Sequence, residues 1–152
     1  MSVARADGAF DGSVHEAETL WYDTSRWRHW VDGLERVVEV SGPWPEAGAR
    51  VVWQSGPAGR GRVTERVTGY EPLAGQKIEV VDDTITGTQT ITFTPLDDGV
   101  AVEFTLDYRI TKRSLFTPVV DALFVRGAMR SSLQTTLSRF GVELEKRSPP
   151  NG

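Results

Sequence analysis

The C-terminal segment of this chain sets the strongest constraint on its fold. Across residues 117–146 the apolar residues recur with the period of an α-helix, which predicts one long amphipathic helix. Its apolar face consists of Val119, Leu123, Leu133, Leu137, Phe140 and Leu144. A helix of this kind needs a second layer of structure to cover its apolar face.

Two arginines, Arg126 and Arg130, fall near the centre of that apolar face on the helical wheel. Removing the partner of a buried charge costs about 3–5 kcal/mol, so a buried guanidinium requires a partner. The pattern therefore predicts a carboxylate on the covering layer, a polar or anionic ligand group, or water in a cavity.

The central part of the chain has the two-residue period of β-strands. Six runs predict strands, at residues 35–41, 49–55, 60–70, 77–82, 86–95 and 100–111. Glycine, proline and aspartate fill the short breaks between them, which favours an antiparallel meander. A candidate first strand with poor alternation precedes them at residues 3–10.

Two short helices are predicted between the first strand and the meander. Ser13 and Glu16 have the spacing of a capping box, and Asp23 opens a second turn that carries Trp27 and Trp30 on one side. The order of elements predicts an α+β fold with a curved sheet over one helix. We expect a single domain over residues 1–146 and a disordered tail over residues 147–152.

Composition excludes several classes of function. The net charge is −4 and basic residues do not cluster, so nucleic acid is not an expected partner. The absence of cysteine excludes disulfides, zinc–thiolate sites and thiol nucleophiles. No apolar run approaches the ~20 residues of a membrane span and no signal peptide is evident, so we expect a soluble, cytoplasmic protein.

Motifs for metal or nucleophilic chemistry are also missing. His15 and His29 are the only histidines, and neither has a second ligand at helical spacing. No serine lies in a Gly-x-Ser-x-Gly elbow, and the glycine-rich segment 56–61 lacks the Lys-Ser/Thr of a phosphate loop. We expect no metal, no cofactor and no hydrolase triad.

Four segments carry a resemblance to a known family. They are the Trp27-Arg28-His29-Trp30 segment, the strand end at residues 67–73, the hairpin that leads into residues 100–110, and the helix end at residues 137–145. With them the chain resembles, over nearly its whole length, the START-like or SRPBCC superfamily, especially its polyketide cyclase/dehydrase and lipid-transport branch. These segments are patterns of fold rather than catalytic signatures, so they constrain function weakly.

The resemblance implies a helix-grip fold, with a curved antiparallel sheet of six to seven strands wrapped around the C-terminal helix. It also implies a first strand that pairs beside the last one, and a deep apolar cavity between sheet and helix. The ligands it implies are lipids, sterols, polyketides or other hydrophobic molecules.

Glu65 is the candidate carboxylate of the interior, because it shares one strand face with Val63 and Val67. In one interpretation Glu65 pairs with Arg126 or Arg130 and orients a ligand carbonyl or carboxylate. In the other, the pair is structural, or the arginines reach solvent while their stems cover apolar surface.

Aromatic and thioether side chains supply the other candidate ligand contacts. Trp30 and Trp53 are candidate pocket walls, and Phe104 and Tyr108 face inward on the last strand by alternation. The Tyr108 hydroxyl is available to a ligand or to the interior carboxylate, and Met129 lies on the flank of the helix face. Core packing is the alternative role for each.

The sequence leaves three functions open. The leading hypothesis is a protein that binds or carries a small hydrophobic ligand with a polar end. The alternative is a polyketide aromatase/cyclase-like enzyme, with Glu65 or Tyr108 as acid or base and Arg130 polarising a carbonyl. The third is a stress-response or regulatory protein whose groove binds a partner segment. Either a monomer or a homodimer is compatible with the sequence.

Overall fold

A computed structural model of the chain describes residues 2–57, 59–111 and 118–147, with the backbone alone for residues 118–122. Within these residues the strands are β1 (Ser2–Phe10), β2 (Leu34–Ser41), β3 (Arg50–Ser55), β4 (Arg62–Glu71), β5 (Gly75–Val81), β6 (Ile85–Leu96) and β7 (Gly99–Ile110). The helices are α1 (Val14–Trp21), α2 (Trp27–Trp30) and α3 (Pro118–Arg147), and a 3₁₀ turn, Thr24–Arg26, joins α1 to α2.

The strands form one antiparallel, seven-stranded sheet in the order β1-β7-β6-β5-β4-β3-β2. The first strand pairs with the last along its whole length, from Ser2 opposite Tyr108 to Phe10 opposite Val100. This pairing confirms the candidate first strand, which takes the place that the resemblance implied. The predicted curved sheet around a long C-terminal helix, the helix-grip fold, is confirmed.

Local sequence signals determine where the short helices begin. The Ser13 hydroxyl accepts a hydrogen bond from the Glu16 N–H at 3.0 Å, and the Glu16 carboxylate accepts one from the Ser13 N–H at 3.4 Å. The predicted capping box is therefore present at the start of α1. Asp23 accepts from the Ser25 N–H at 3.1 Å and opens the 3₁₀ turn that leads into α2.

The core lies between the inner face of the sheet, the short helices and α3. Trp21 is at its centre, with ring centroids 4.8 Å from Trp30 and 5.2 Å from both Phe104 and Phe140. Trp27 is buried in the same core. The short helices thus supply a tryptophan-rich layer that faces both the sheet and α3.

Helix α3 is covered along only part of its length. The first buried side chain among its described residues is Met129, whereas Leu123 is 63% exposed and Phe124 is 76% exposed. The prediction that Leu123 belongs to the buried face is wrong, and the side chain of Val119 lies outside the described residues. The described part of α3 ends at Arg147, which we had expected in the tail, and residues 148–152 lie outside the described residues.

None of the helices in the described part of the chain combines the length and the apolar character that a membrane crossing requires.

Candidate functional site

A small cavity lies between the inner face of the sheet, α2 and the covered part of α3. Its volume is about 40 Å³. The wall includes aromatic and aliphatic side chains, namely Trp21, Trp27, Trp30, Val31, Trp53, Ile78, Phe104, Leu106, Met129 and Leu133. The polar or charged residues of the wall are Asp32, Arg60, Glu65, Gln76, Gln89, Ser132 and Thr136. An apolar enclosure with a few polar groups is the usual form of a small-molecule site.

Glu65 is the buried carboxyl group of this cavity. It is 6% exposed, and its Oε2 accepts a hydrogen bond from Nε1 of Trp53 at 2.5 Å. Burial raises the pKa of Glu65, while the hydrogen bond from Trp53 and the charge of Arg60 lower it in part. The net upward shift favours the protonated form, which can donate a hydrogen bond as well as accept one.

Arg60 shares the cavity wall with this carboxyl group, and the sequence analysis missed it. Its guanidinium lies 5.6 Å from the centre of the Trp53 ring, and its Nε donates to Oδ2 of Asp82 at 2.5 Å. The Asp82 side chain is buried and also accepts hydrogen bonds from the N–H groups of Thr84 and Ile85. Arg60 is thus held by the β5–β6 turn at the edge of the cavity, where it is partly exposed.

The two helix arginines do not face the cavity. Arg126 and Arg130 are both exposed, and neither belongs to the cavity wall or forms an ion pair with Glu65 in the described residues. The interpretation in which one of them pairs with Glu65 is wrong, whereas their exposure agrees with the alternative in which the arginines reach solvent. Their angular position on α3 matches the buried face. Arg126, however, lies before Met129, in the part of α3 that the described residues leave uncovered, and Arg130 lies at the edge of the covered part.

Tyr108 is buried, but it does not join Glu65 in the wall of the cavity. Burial raises the pKa of Tyr108, while the nearby charge of Arg126 and the side chain of Ser2 act in the opposite direction. The Tyr108 hydroxyl has no hydrogen-bond partner among the described residues, so the alternative in which it bonds to Glu65 is wrong. Its contact with a ligand stays a prediction.

The remaining candidates lie where the alternation and the helix pattern place them. Trp30, Trp53, Phe104 and Met129 all contribute to the cavity wall, together with Glu65. Their contact with a ligand stays a prediction.

Two glutamines of the wall have a sequence signal that the analysis did not use. Gln76 shares the inward face of β5 with Ile78, and Gln89 shares the inward face of β6 with Ile91. A polar residue at an inward position of a strand is the same signal that identified Glu65. Asp32, Ser132 and Thr136 follow no comparable pattern, and Thr136 accepts a hydrogen bond from the Asp32 N–H at 3.0 Å.

The described residues contain no group of three His, Asp or Glu side chains that could hold a metal ion. In Glu65 the cavity holds a group capable of hydrogen bonding and proton transfer, next to aromatic contact surface.

The chain matches the family described as polyketide cyclase / dehydrase and lipid transport over residues 6–145. It belongs to this family, within the START-like superfamily. No curated protein sequence matches it.

Solved structures with the same fold match almost the whole chain. One is TTHA0849 from Thermus thermophilus, with 20% identity, 97% and 100% of the two chains covered, and a TM-score of 0.80. The ZhuI aromatase/cyclase from Streptomyces sp. R1128 has 13% identity, 99% and 98% coverage, and a TM-score of 0.83. A START superfamily protein from Mycobacterium smegmatis has 13% identity, 96% and 99% coverage, and a TM-score of 0.73. At these identities the likeness shows the fold alone.

Proposed function

We propose that this protein binds a small, mainly apolar molecule in the cavity, with an uncharged polar group of that molecule against Glu65. The observation that carries the proposal is the buried carboxyl group of Glu65 in a wall that is otherwise largely aromatic and aliphatic. Membership of the family supports a ligand of hydrophobic character.

The charge of the wall favours an uncharged ligand over an acid. Arg126 and Arg130 are exposed, and Arg60 already pairs with Asp82, so no unpaired cation faces Glu65 in the described residues. A ligand carboxylate next to Glu65 would bring two carboxyl groups together in an apolar enclosure, where a charge without a partner is costly. A ketone, ester or alcohol avoids that cost and can share a proton with Glu65.

Ligand binding requires the cavity to enlarge. The cavity volume of about 40 Å³ is the space open to the centres of water-sized spheres. One water molecule needs about 10–15 Å³ of such space, so the cavity holds a few water molecules. Pockets for organic ligands are larger, roughly 300–1,000 Å³. The N-terminal part of α3 lies outside the cavity wall but continues into it, and it can shift most readily, because Leu123 and Phe124 are exposed and few buried contacts break when it moves.

Calorimetric titration with two probes on one ring system tests the proposal. Tetralone carries a ketone on a fused apolar ring, and tetralin carboxylate carries an anion on the same ring. We expect tetralone to bind at least about tenfold more tightly at neutral pH, a difference of about 1.4 kcal/mol. The proposal fails if neither probe binds, or if the carboxylate binds more tightly.

A second candidate function is aromatase/cyclase-like catalysis on a polyketide chain, with Glu65 as general acid or base. The observation in its favour is the upward shift of the pKa of Glu65 by burial, because a carboxyl group that ionises closer to neutrality is better suited to proton transfer. The fold shared with the ZhuI aromatase/cyclase is compatible with this function.

Incubation with linear polyketide chains separates the two candidates. If the protein is an enzyme, the natural protein converts the polyketide to a cyclised or dehydrated product, which mass spectrometry detects. The Glu65→Gln variant then loses that activity. If the natural protein and the Glu65→Gln variant both bind the polyketide and neither converts it, the protein is a carrier.

A further inference from the structure

Trp30 lines the cavity, and its indole N–H has no hydrogen-bond partner among the described residues. Trp30 is 1% exposed, and no described group accepts a hydrogen bond from its Nε1. By contrast, Nε1 of Trp27 and Nε1 of Trp44 each donate to a backbone carbonyl at 2.8 Å. A buried tryptophan N–H usually has a partner, so this one requires an explanation.

The orientation of Trp30 is fixed by its neighbours. Its ring centroid lies 4.8 Å from that of Trp21, 5.2 Å from that of Phe140 and 6.4 Å from that of Trp27. The ring is therefore packed on several sides and cannot turn toward a partner. A hydrogen-bond acceptor for its N–H must instead be supplied by a molecule that enters the cavity.

Gln76 presents the complementary group in the same wall. It is 4% exposed, and its Nε2 donates to the backbone carbonyl of Pro45 at 2.9 Å. This hydrogen bond assigns the amide nitrogen to Pro45, which leaves Oε1 buried without a donor among the described residues.

Two residues of the cavity wall thus carry a buried polar atom without a partner among the described residues, a donor on Trp30 of α2 and an acceptor on Gln76 of β5, in addition to Glu65 on β4. Leaving buried polar atoms unpaired destabilises a fold, and an apolar side chain at either position would avoid that cost. Water can serve both atoms in the free protein, because the cavity has room for a few water molecules.

We propose that Trp30 and Gln76 select the ligand, the N–H of Trp30 donating to an acceptor on it and the Gln76 carbonyl accepting from a donor on it. The preferred ligand class is then a hydroxylated ketone or a related molecule with both groups, rather than a hydrocarbon or a simple ketone. This inference rests on the proposed function, because it assigns hydrogen bonds within the same cavity.

Three probes on one ring system test the assignment by calorimetry. Tetralin has neither group, tetralone has the acceptor, and a hydroxytetralone with its hydroxyl on the aromatic ring, away from the ketone, has both. For the natural protein we expect each added group to tighten binding by about tenfold, the effect of one well-formed hydrogen bond in a buried site.

Variants then assign each group to a residue. In Trp30→Phe the affinity ratio of tetralone to tetralin falls by about tenfold relative to the natural protein, because the hydrogen bond from the indole N–H is lost while Glu65 remains. In Gln76→Leu the affinity ratio of hydroxytetralone to tetralone falls to near one. The ratios cancel any general change in the shape of the cavity. Trp44→Phe and Gln54→Leu are matched controls, because neither residue lines the cavity, and both leave the ratios unchanged.

An NMR measurement on the natural protein tests the inference even if the variants do not fold. We expect the indole proton resonance of Trp30 to move downfield when tetralone is added and to stay in place when tetralin is added. Unchanged ratios in both variants, or equal shifts with both probes, overturn this inference while the proposed function stands. If no probe binds the natural protein, the proposed function fails and this inference fails with it.

Discussion

Trp53 and Glu65 lie diagonally opposite each other on the adjacent strands β3 and β4, and the indole N–H of Trp53 donates to the Glu65 carboxyl group at 2.5 Å. The register makes them neighbours, because Trp53 pairs with Val63 and Glu65 pairs with Val51. Diagonal neighbours on one face of a sheet lie within reach of long and aromatic side chains. The sheet therefore supplies both the burial of the carboxyl group and one of its hydrogen bonds.

The buried carboxyl group makes stability depend on pH. The usual pKa of this group is 4.5, and the fold raises it, so between the two values the folded protein binds more protons than the unfolded chain. Stability therefore falls as pH rises through that window and is constant above it. We expect Glu65→Gln, whose amide oxygen can still accept from Trp53, to remove this fall in urea unfolding measured across the window.

Glu79→Gln is the control for this change, because Glu79 is an exposed carboxylate on the outer face of β5. It should retain the fall in stability seen for the natural protein. A fall of the same size in Glu65→Gln would contradict the assignment of the pH dependence to Glu65.

Trp53→Phe removes the N–H donor and leaves most of the aromatic surface. Because that hydrogen bond lowers the pKa of Glu65, we expect the pKa to rise further in the variant. Carbon-13 NMR of the labelled carboxyl group measures it directly. Trp44→Phe, which removes an N–H bonded to the Tyr22 carbonyl, should leave the Glu65 titration unchanged, and a downward shift in Trp53→Phe would exclude the proposed role.

Arg60→Ala removes the cation that pairs with the buried Asp82 side chain. We expect a loss of about 1–3 kcal/mol in the free energy of unfolding, because a buried charged acceptor loses its partner. Arg62→Ala, at an exposed position on β4, should change stability by less than about 0.5 kcal/mol. Equal effects in urea unfolding would show that the Arg60–Asp82 pair contributes no more than a surface contact.

Met129→Ala should act in opposite directions on stability and on binding. Met129 is buried in the cavity wall, so truncation costs about 2–5 kcal/mol in the free energy of unfolding. The same change enlarges the cavity and should tighten the binding of tetralone. Met129→Leu conserves the volume and should cost less than about 1.5 kcal/mol, and weaker tetralone binding in Met129→Ala would contradict enlargement at this wall.

Arg130→Ala should have little effect, because Arg130 is exposed and outside the cavity wall. We expect a stability change below about 0.5 kcal/mol and an unchanged affinity for tetralone by calorimetry. A marked loss of affinity would show that Arg130 takes part in ligand binding.

Local rules were sufficient to predict most of the fold. The capping box at Ser13 and Glu16 begins a helix, and alternation places every predicted strand of the meander within a few residues of its observed bounds. The same alternation placed Glu65 inside, since its inward direction follows from Val63 and Val67 on one strand.

The rest of the site depends on information that periodicity does not contain. A helical wheel gives the angle of Arg126 about the axis of α3, but the exposure of Arg126 depends on how far along that axis the covering layers extend. Alternation assigned Arg60 to the strand predicted at residues 60–70, but β4 begins only at Arg62, so its strand face could not be predicted. The two ends of its pair with Asp82 are also separated by two strands. Tertiary packing alone brings these groups together.

The pairing of β1 with β7 has a consequence for biosynthesis. Because Ser2 lies opposite Tyr108, β1 is synthesised before its partner strand β7 and stays unpaired until the five strands between them in the sequence have been made. During translation its backbone donors and acceptors stay open to water, and to wrong partners, until residues 99–110 emerge. Any substitution that slows this late closure would increase aggregation of the nascent chain even if the finished protein were equally stable.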